Sequence, residues 1–356
     1  YTMLFCKSVK LYRSLVSPES YSEYSKEYIN HLPSSEKTII FLKHLMLFHQ
    51  WFGSFVNCQF LRAAYRKKLI DLQFDKKYIN LNSVIACIEE GDLVLAQHWV
   101  ERKKIRNSDK EKIRLINWFV SKTLERPIPD FLSCFNSDYA NFLKQKKIYL
   151  SGPAPDCNES QPFDNSNDIR VSLNFIKGLG EVPNVSYYNH EKIIDRFEGV
   201  RSSIPELDFA CFKGESDLLA IFSSKTKTPK ARLFCSAGDL MLNDYGPNAI
   251  QNAVFDLLIH GVKDIYISGV TFFASKKRLY ASETYKDRVS DHNATCIGLR
   301  IHDPFSNFNF VRNLWIRGFI KVTADVENII GLSEVEYASE LENVYGNSFV
   351  VPPYEN

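Results

Sequence analysis

Residues 146–156 read KKIYLSGPAPD, and this stretch decides what kind of fold the chain has. Ile148, Tyr149, Leu150 and Ser151 are apolar, β-branched or aromatic in a run too short for a helix, so they read as a buried strand. Gly152-Pro153-Ala154-Pro155 ends it, because two prolines remove backbone donors and forbid a continuing strand. A strand that stops in a small-residue loop leaves backbone N–H groups and a crevice at its carboxyl end, the usual ligand position in an open α/β sheet. Gly152 and Ala154 carry no bulk that would hold a phosphate or sugar away. A plain strand-to-loop corner is the simpler reading of the same residues.

Downstream, short strands alternate with helices. DIRVSLNF (168–175) reads as the second strand and NVSYYNH (184–190) as the third. LDFACF (207–212), LAIF (219–222) and ARLFC (231–235) follow. PNAIQNAVFDLLIHG (247–261) is a helix with proline in its first turn and glycine as its stop. KDIYISGVTFF (263–273) reads as one long strand, and NFVRNLWIRG (309–318) with the strand FIKVTA (319–324) closes the unit. This alternation predicts an α/β fold, a Rossmann-like mostly parallel sheet with helices on both faces. The tail after residue 330 carries one short helix and an acidic end.

Upstream the texture is helical. EKTIIFLKHLMLFHQWF places Ile40, Leu42, Leu45, Leu47 and Phe48 on a broad apolar face. FLRAAYRKKLIDLQF repeats the pattern, SVIACIEEGDLVLAQHWVERKK reads as two helices broken at Glu90-Gly91-Asp92, and DKEKIRLINWFVSKTLE follows a cap at Ser108 or Asp109. The predicted domains are a helical bundle or solenoid-like stack over 1–140, a Rossmann-like unit over 141–330, and a C-terminal helix and tail over 331–356 packing on it. Basic residues exceed acidic ones by about seven in residues 1–144. The RKK and ERKKIR clusters could meet anionic lipid headgroups, giving peripheral membrane association, or an acidic acceptor glycan; a solvated helix face is the plainer alternative.

Bulk numbers narrow the class. A chain of 356 residues has room for two domains, and its net charge of +2 argues against a nucleic-acid partner. Eight scattered cysteines with no C-x-x-C pair fit reduced thiols in a cytosol, with disulfides in a secretory compartment as the alternative. Thr38–Val56, the most apolar run, is interrupted by Lys43, His44, His49 and Gln50, so it reads as a buried or interfacial amphipathic helix. No signal peptide is visible. The expected location is cytoplasmic, peripheral at the inner face of a bacterial membrane.

No G-x-S-x-G, G-x-x-x-x-G-K-[ST], H-E-x-x-H or G-x-G-x-x-G signature occurs, nor a D-x-D in the α/β half. What remains is a series of polar residues just past strand ends: Asn174, Asn189 with His190, Ser268-Gly269, and His302 in HDPFSN. Asparagine both donates and accepts, which suits a pyrimidine edge or ribose hydroxyls, and His302 could serve as a base near neutral pH. Each residue taken alone also fits a turn cap or a structural histidine.

The order of these segments resembles the bacterial sialyltransferases with a single Rossmann-like domain, the variant GT-A type, and the related flagellin-modifying and Kdo-transferring enzymes. KKIYLSGPAP looks like the family's first strand and donor-cradling loop. VSLNF places Asn174 where a nucleotide contact is expected, and Tyr187-Tyr188-Asn189 matches an aromatic-Tyr-Asn segment. Tyr245-Gly246-Pro247-Asn248 leads a helix into GVKDIYISG, and His302 stands before a helix and a last strand. The resemblance covers roughly residues 146–325. It implies that Gly152, Pro153, Ala154, Asn174, Asn189, Gly246, Asn248, Ser268 and Gly269 hold a CMP-activated sugar acid, with His302 and Tyr280 catalytic. The loop has Gly-Pro-Ala where sialyltransferases have Gly-Asn-Gly, which looks nearer to the Kdo- and nonulosonate-transferring relatives. Thr271 and Phe273 replace a family acid and tyrosine, so Arg278, Lys276 or Lys277 could share the phosphate-assisting role with Tyr280.

The implied reaction moves a 2-keto-3-deoxy sugar acid (sialic, legionaminic or pseudaminic acid, or Kdo) from CMP to a glycan or glycolipid hydroxyl. It needs no metal and no further cofactor. The enzyme positions both substrates, stabilises departing CMP and accepts a proton at His302. A retaining route would need a carboxylate nucleophile, with Asp239, Asp244 or Asp291 as candidates. Two other readings are a non-catalytic assembly protein on a degenerate nucleotide fold and a Golgi-type sialyltransferase, which would require disulfides.

Overall fold

Seven short strands, all parallel, form one sheet in the order β5-β4-β3-β2-β1-β6-β7. They are β1 (Ile148–Ser151), β2 (Ile169–Leu173), β3 (Val185–Tyr188), β4 (Phe209–Phe212), β5 (Ala231–Leu233), β6 (Ile265–Ser268) and β7 (Lys321–Val322). The computed structural model describes residues 27–51, 53–128, 135–154, 168–178, 181–189, 197–213, 231–242, 246–274, 299 and 302–345. The expected strand at 219–222 and the end of the tail lie outside them. In β3 all four residues are buried, as a strand covered on both faces requires.

Register separates the two faces. Ile148, Leu150, Ile169, Val171, Val185, Tyr187, Cys211, Ile265 and Ile267 belong to the main core. Tyr188, Ala210 and Phe212 point the other way, into a smaller cluster with Val200 and Ile204. Helix α7 (Phe197–Ser203) covers that second face. On the main face, α5 (Lys110–Thr123), α8 (Ala249–Ile259) and α9 (Pro304–Ile316) meet through aromatic rings. Trp118 and Phe119 contact Phe255, and Phe119 stacks on Phe310 with centroids 5.6 Å apart.

Every described element from residue 36 to 143 is helical: α1 (Glu36–Trp51), α2 (Phe55–Phe74), α3 (Leu81–Glu89), α4 (Leu93–Arg102), α5, and α6 (Ser137–Leu143), with a 3-10 turn at Asn107–Asp109. Asn80 Oδ1 accepts from Asn82 N to start α3, and Asp92 Oδ1 accepts from Leu95 N to start α4, so the expected break at 90–92 is a cap. Asp109 occupies the cap position of α5 with no capping bond from its side chain. One hydrophobic cluster runs from Ile29 in this region through the sheet to Tyr345.

Three expectations change. KDIYISGVTFF does not continue as a strand past Ser268, because Gly269, Phe272 and Phe273 all take positive φ and turn the chain. Helix α9 starts at Pro304, five residues before the expected segment, because Asp303 Oδ1 caps Phe305 N and proline suits the first turn. A helix not expected from the sequence, α10 (Ala324–Ile330), follows β7 directly, while the one helix expected in the tail is α11 (Glu334–Tyr345), which packs on α2 through Phe55 and Tyr345 as well as on the sheet loops. No described helix is long and apolar enough to cross a membrane.

The basic clusters are partly consumed inside the molecule. Arg66 is buried against Glu334, and Lys103 Nζ donates to the carbonyls of Gln73, Phe74 and Lys76. Of the described cysteines, Cys58, Cys87 and Cys211 are free and buried, whereas Cys235 is disulfide-bonded. The expectation of reduced thiols therefore fails at Cys235.

Candidate functional site

The strand order reverses direction between β1 and β6: successive strands run from β1 outward to β5 on one side, and β6 and β7 continue on the other. In an open parallel sheet that switch point opens a crevice at the carboxyl ends. Gly152, Pro153 and Ala154 leave β1 there, and Gly269 leaves β6. The two loops bond to each other. Gly152 N donates to Ser268 O at 2.8 Å and Ala154 N to Gly269 O at 2.9 Å, while Pro153 has no N–H to give. The expected free N–H groups of this loop are thus already engaged, and a phosphate would have to find donors elsewhere.

The glycines are explained by the same contact. A Cβ on Gly152 would lie 2.2 Å from Gly269 O, and one on Gly269, where φ is +60°, would lie 2.6 Å from Ala154 O. Close approach of loop to loop demands them. Ser268 is buried beside them at the end of β6.

Asn174 ends β2 in a left-handed conformation with φ 55°, which asparagine tolerates better than most residues. Its Oδ1 accepts from Asn189 N at 2.9 Å, and it is 1% exposed. Asn174 therefore ties the β2 and β3 exits together, with its oxygen turned inward. Asn189 remains half-buried past β3. The neighbouring tyrosines serve the core: Tyr187 Oη donates to Asp256 at 2.7 Å, and Tyr188 Oη donates to Phe175 O at 3.0 Å.

Helices α8 and α9 lead into β6 and β7, so their N-termini stand at the sheet's carboxyl edge. Gly246 and Asn248 precede α8, and His302 precedes α9. His302 Nδ1 lies 2.8 Å from Gly246 O. A carbonyl oxygen only accepts, so Nδ1 carries the proton in the neutral ring and Nε2 keeps its lone pair. The ring is half-buried, and Nε2 has no protein partner among the described residues. Asn307, one turn into α9, closes the arrangement. Its Nδ2 donates to Asp303 O at 2.7 Å and its Oδ1 accepts from Asn248 N at 2.9 Å, fixing the two helix starts against each other.

The candidate residues thus form three groups along one edge: the β1–β6 loops, the Asn174–Asn189 corner, and Gly246, Asn248 and His302. Asp239 lies on the 3-10 turn after β5 and pairs with Lys112 at 3.2 Å. Tyr280, Lys276, Lys277, Arg278, His190, Asp244 and Asp291 lie outside the described residues. Among the described residues no cluster of three His, Cys, Asp or Glu side chains has metal-binding geometry. Residue patterns missed Asn307 and Asp303 as organisers of the site, although the Asp-Pro pair was a legible helix start.

Fold and edge geometry together define an open, all-parallel α/β protein whose polar residues gather where such sheets receive ligands. Comparison with family models, curated proteins and solved structures finds no match to this chain.

Proposed function

We propose that the chain is a glycosyltransferase of the variant GT-A kind, moving a 2-keto-3-deoxy sugar acid from its CMP ester to a hydroxyl of a glycan or glycolipid. The observation that carries this reading is His302, held by Gly246 O through Nδ1 just before α9 at the carboxyl edge of a parallel sheet. A fixed tautomer with an available lone pair is what a general base needs. In the direct, inverting route, His302 Nε2 takes the proton of the acceptor hydroxyl as that oxygen attacks the anomeric carbon and CMP departs. The donor already carries a good leaving group, so the protein's remaining work is orientation and charge stabilisation. Asn189 and Asn248, both half-buried on the same edge, are the described polar residues we assign to the nucleotide. Tyr280 is assigned to the phosphate from the sequence resemblance alone.

The inverting route is preferred over the retaining one because of that tautomer: with Nδ1 facing Gly246 O, Nε2 of His302 is the ring atom left to accept a proton. Nucleotide-induced thermal stabilisation tests the reading. CMP or CDP at 100 times its Kd should stabilise the protein by about 2.7 kcal/mol, with no effect from UDP or NAD. Equal shifts for all four, or none, would remove CMP-sugar chemistry from consideration.

A further inference from the structure

We propose that Arg62 positions the base His302, so that the helical region is a working part of the site. This rests on the reading of His302 as a base. Arg62 stands in the middle of α2 and is fully buried. Its Nη2 donates to both carboxylate oxygens of Glu89 at 2.8 Å and to Ser306 Oγ at 2.5 Å, and its Nη1 donates to Asp303 Oδ2. Asp303 is the residue after His302 and the N-cap of α9, and its Oδ2 also accepts from Ser306 Oγ at 2.9 Å. One guanidinium therefore joins α2, α3 and the first turn of α9 at the peptide that carries the ring.

A second helical residue grips the other flank. Gln50 of α1, also fully buried, donates from Nε2 to Leu299 O at 2.7 Å and to His302 O at 3.4 Å. The acceptor of the ring proton is tied to the same place, because Asn307 binds both Asp303 O and Asn248 N, two residues from Gly246. Backbone, ring and ring partner are thus held from one anchor. A buried ion pair is a poor way to add stability, since apolar side chains of similar volume do as well or better. What it supplies is geometry: the guanidinium fork accepts few arrangements of its carboxylates. A displacement of about 1 Å at a catalytic group costs about 100-fold in rate, so such a clamp is worth its desolvation.

The test uses the full chain labelled with ¹⁵N in its histidine rings, with the His302 signals assigned by loss in His302→Gln. The wild-type ring should show the neutral Nδ1–H tautomer. Removing Arg62 alone strands two buried carboxylates and endangers folding, so Asp303→Asn carries the test beside Arg62→Met. Asparagine keeps the helix cap but turns a donor or a neutral oxygen toward Arg62. Folded Asp303→Asn should shift the His302 signals toward a tautomer mixture and lower kcat by about 100-fold, with donor KM within about twofold. Arg66→Met serves as the control. Its partners are Glu90, Glu89 and Glu334, so it should lower the melting temperature and leave the His302 ring signals in place. Wild-type ring signals in folded Asp303→Asn, a wild-type ring without the Nδ1–H tautomer, or equal ring disturbance in Arg66→Met would each overturn the proposal. Should the wild type transfer no sugar, the ring signals still decide the role of Arg62, and the failure falls on the transferase reading alone.

Discussion

Gly152 and Asn174 show how a single residue can be marked in a sequence for a reason other than the one first suggested. Glycine after a strand reads as room for a ligand, and the room is filled by the carbonyl of Gly269. Gly152→Ala should therefore destabilise the protein by about 1–3 kcal/mol through overpacking, measured by urea unfolding. Unchanged stability would mean that the loops part easily. His49 makes a second residue-scale prediction. Burial pushes its ring down to about 4, while the unfolded chain takes up its proton near 6.5. Between those values the unfolded state binds more protons, so stability falls as pH drops through that window, by about 3 kcal/mol in all. His49→Gln should flatten the dependence of the urea midpoint between pH 7 and pH 4.5. His260 moves in the same direction, chiefly from burial and further from Arg232, with Asp256 opposing. Its Nε2 accepts from Asn136 N and its Nδ1 faces Asp256 O, which suits a neutral ring. Glu334 acts at lower pH. Burial pushes it up, but the hydrogen bonds and charge of Arg66 outweigh that and hold it at about 2. Its contribution is present above the usual carboxylate range and is lost as pH falls through about 2.

At the scale of elements, strands β1 to β5 were legible because buried parallel strands appear as short apolar runs closed by polar or small residues. The end of β6 was not, since ISGVTFF stays apolar through a turn made by backbone dihedrals that hydropathy does not register. The first turn of α9 was passed over despite its Asp303-Pro304 start signal, because the aromatic and asparagine mixture of PFSNFNF shows no clear apolar face, its asparagines being buried as hydrogen-bonding partners. The turn after β6 depends on α11. Tyr337 Oη donates to Phe272 O at 2.6 Å and Tyr345 Oη to Phe273 O at 2.8 Å, and Tyr337 stacks on Phe308 with centroids 4.1 Å apart. Tyr337→Phe keeps the stacking and strips one buried acceptor of its donor, which should cost about 1–3 kcal/mol in thermal or urea unfolding. A loss below a few tenths would show that water replaces the hydroxyl.

At the scale of the whole molecule, sequence patterns divided the chain into a helical part and an α/β part and gave the first no place in the site beyond its basic surface clusters. The contacts that join them lie far apart along the chain: Gln50 with Leu299, Arg62 with Asp303, Arg66 with Glu334. No local pattern announces such pairs, because an arginine on a predicted helix face reads as solvated until its acidic partners are located. With a shared core and a shared ion network, the helical and α/β parts should melt in one calorimetric transition, and Arg62→Met should move all of it. Two separated transitions would contradict that coupling. The proposed function requires His302 to be the base of a CMP-dependent sugar-acid transfer. Incubating the wild type and a folded His302→Ala variant with a panel of CMP-activated sugar acids and glycan acceptors, and following CMP release with product formation, tests it most directly. Transfer with at least one such donor is expected, with a loss of about 100-fold or more in His302→Ala; near-normal turnover by the variant, or none by the wild type across the panel, would overturn the role of His302 as that base.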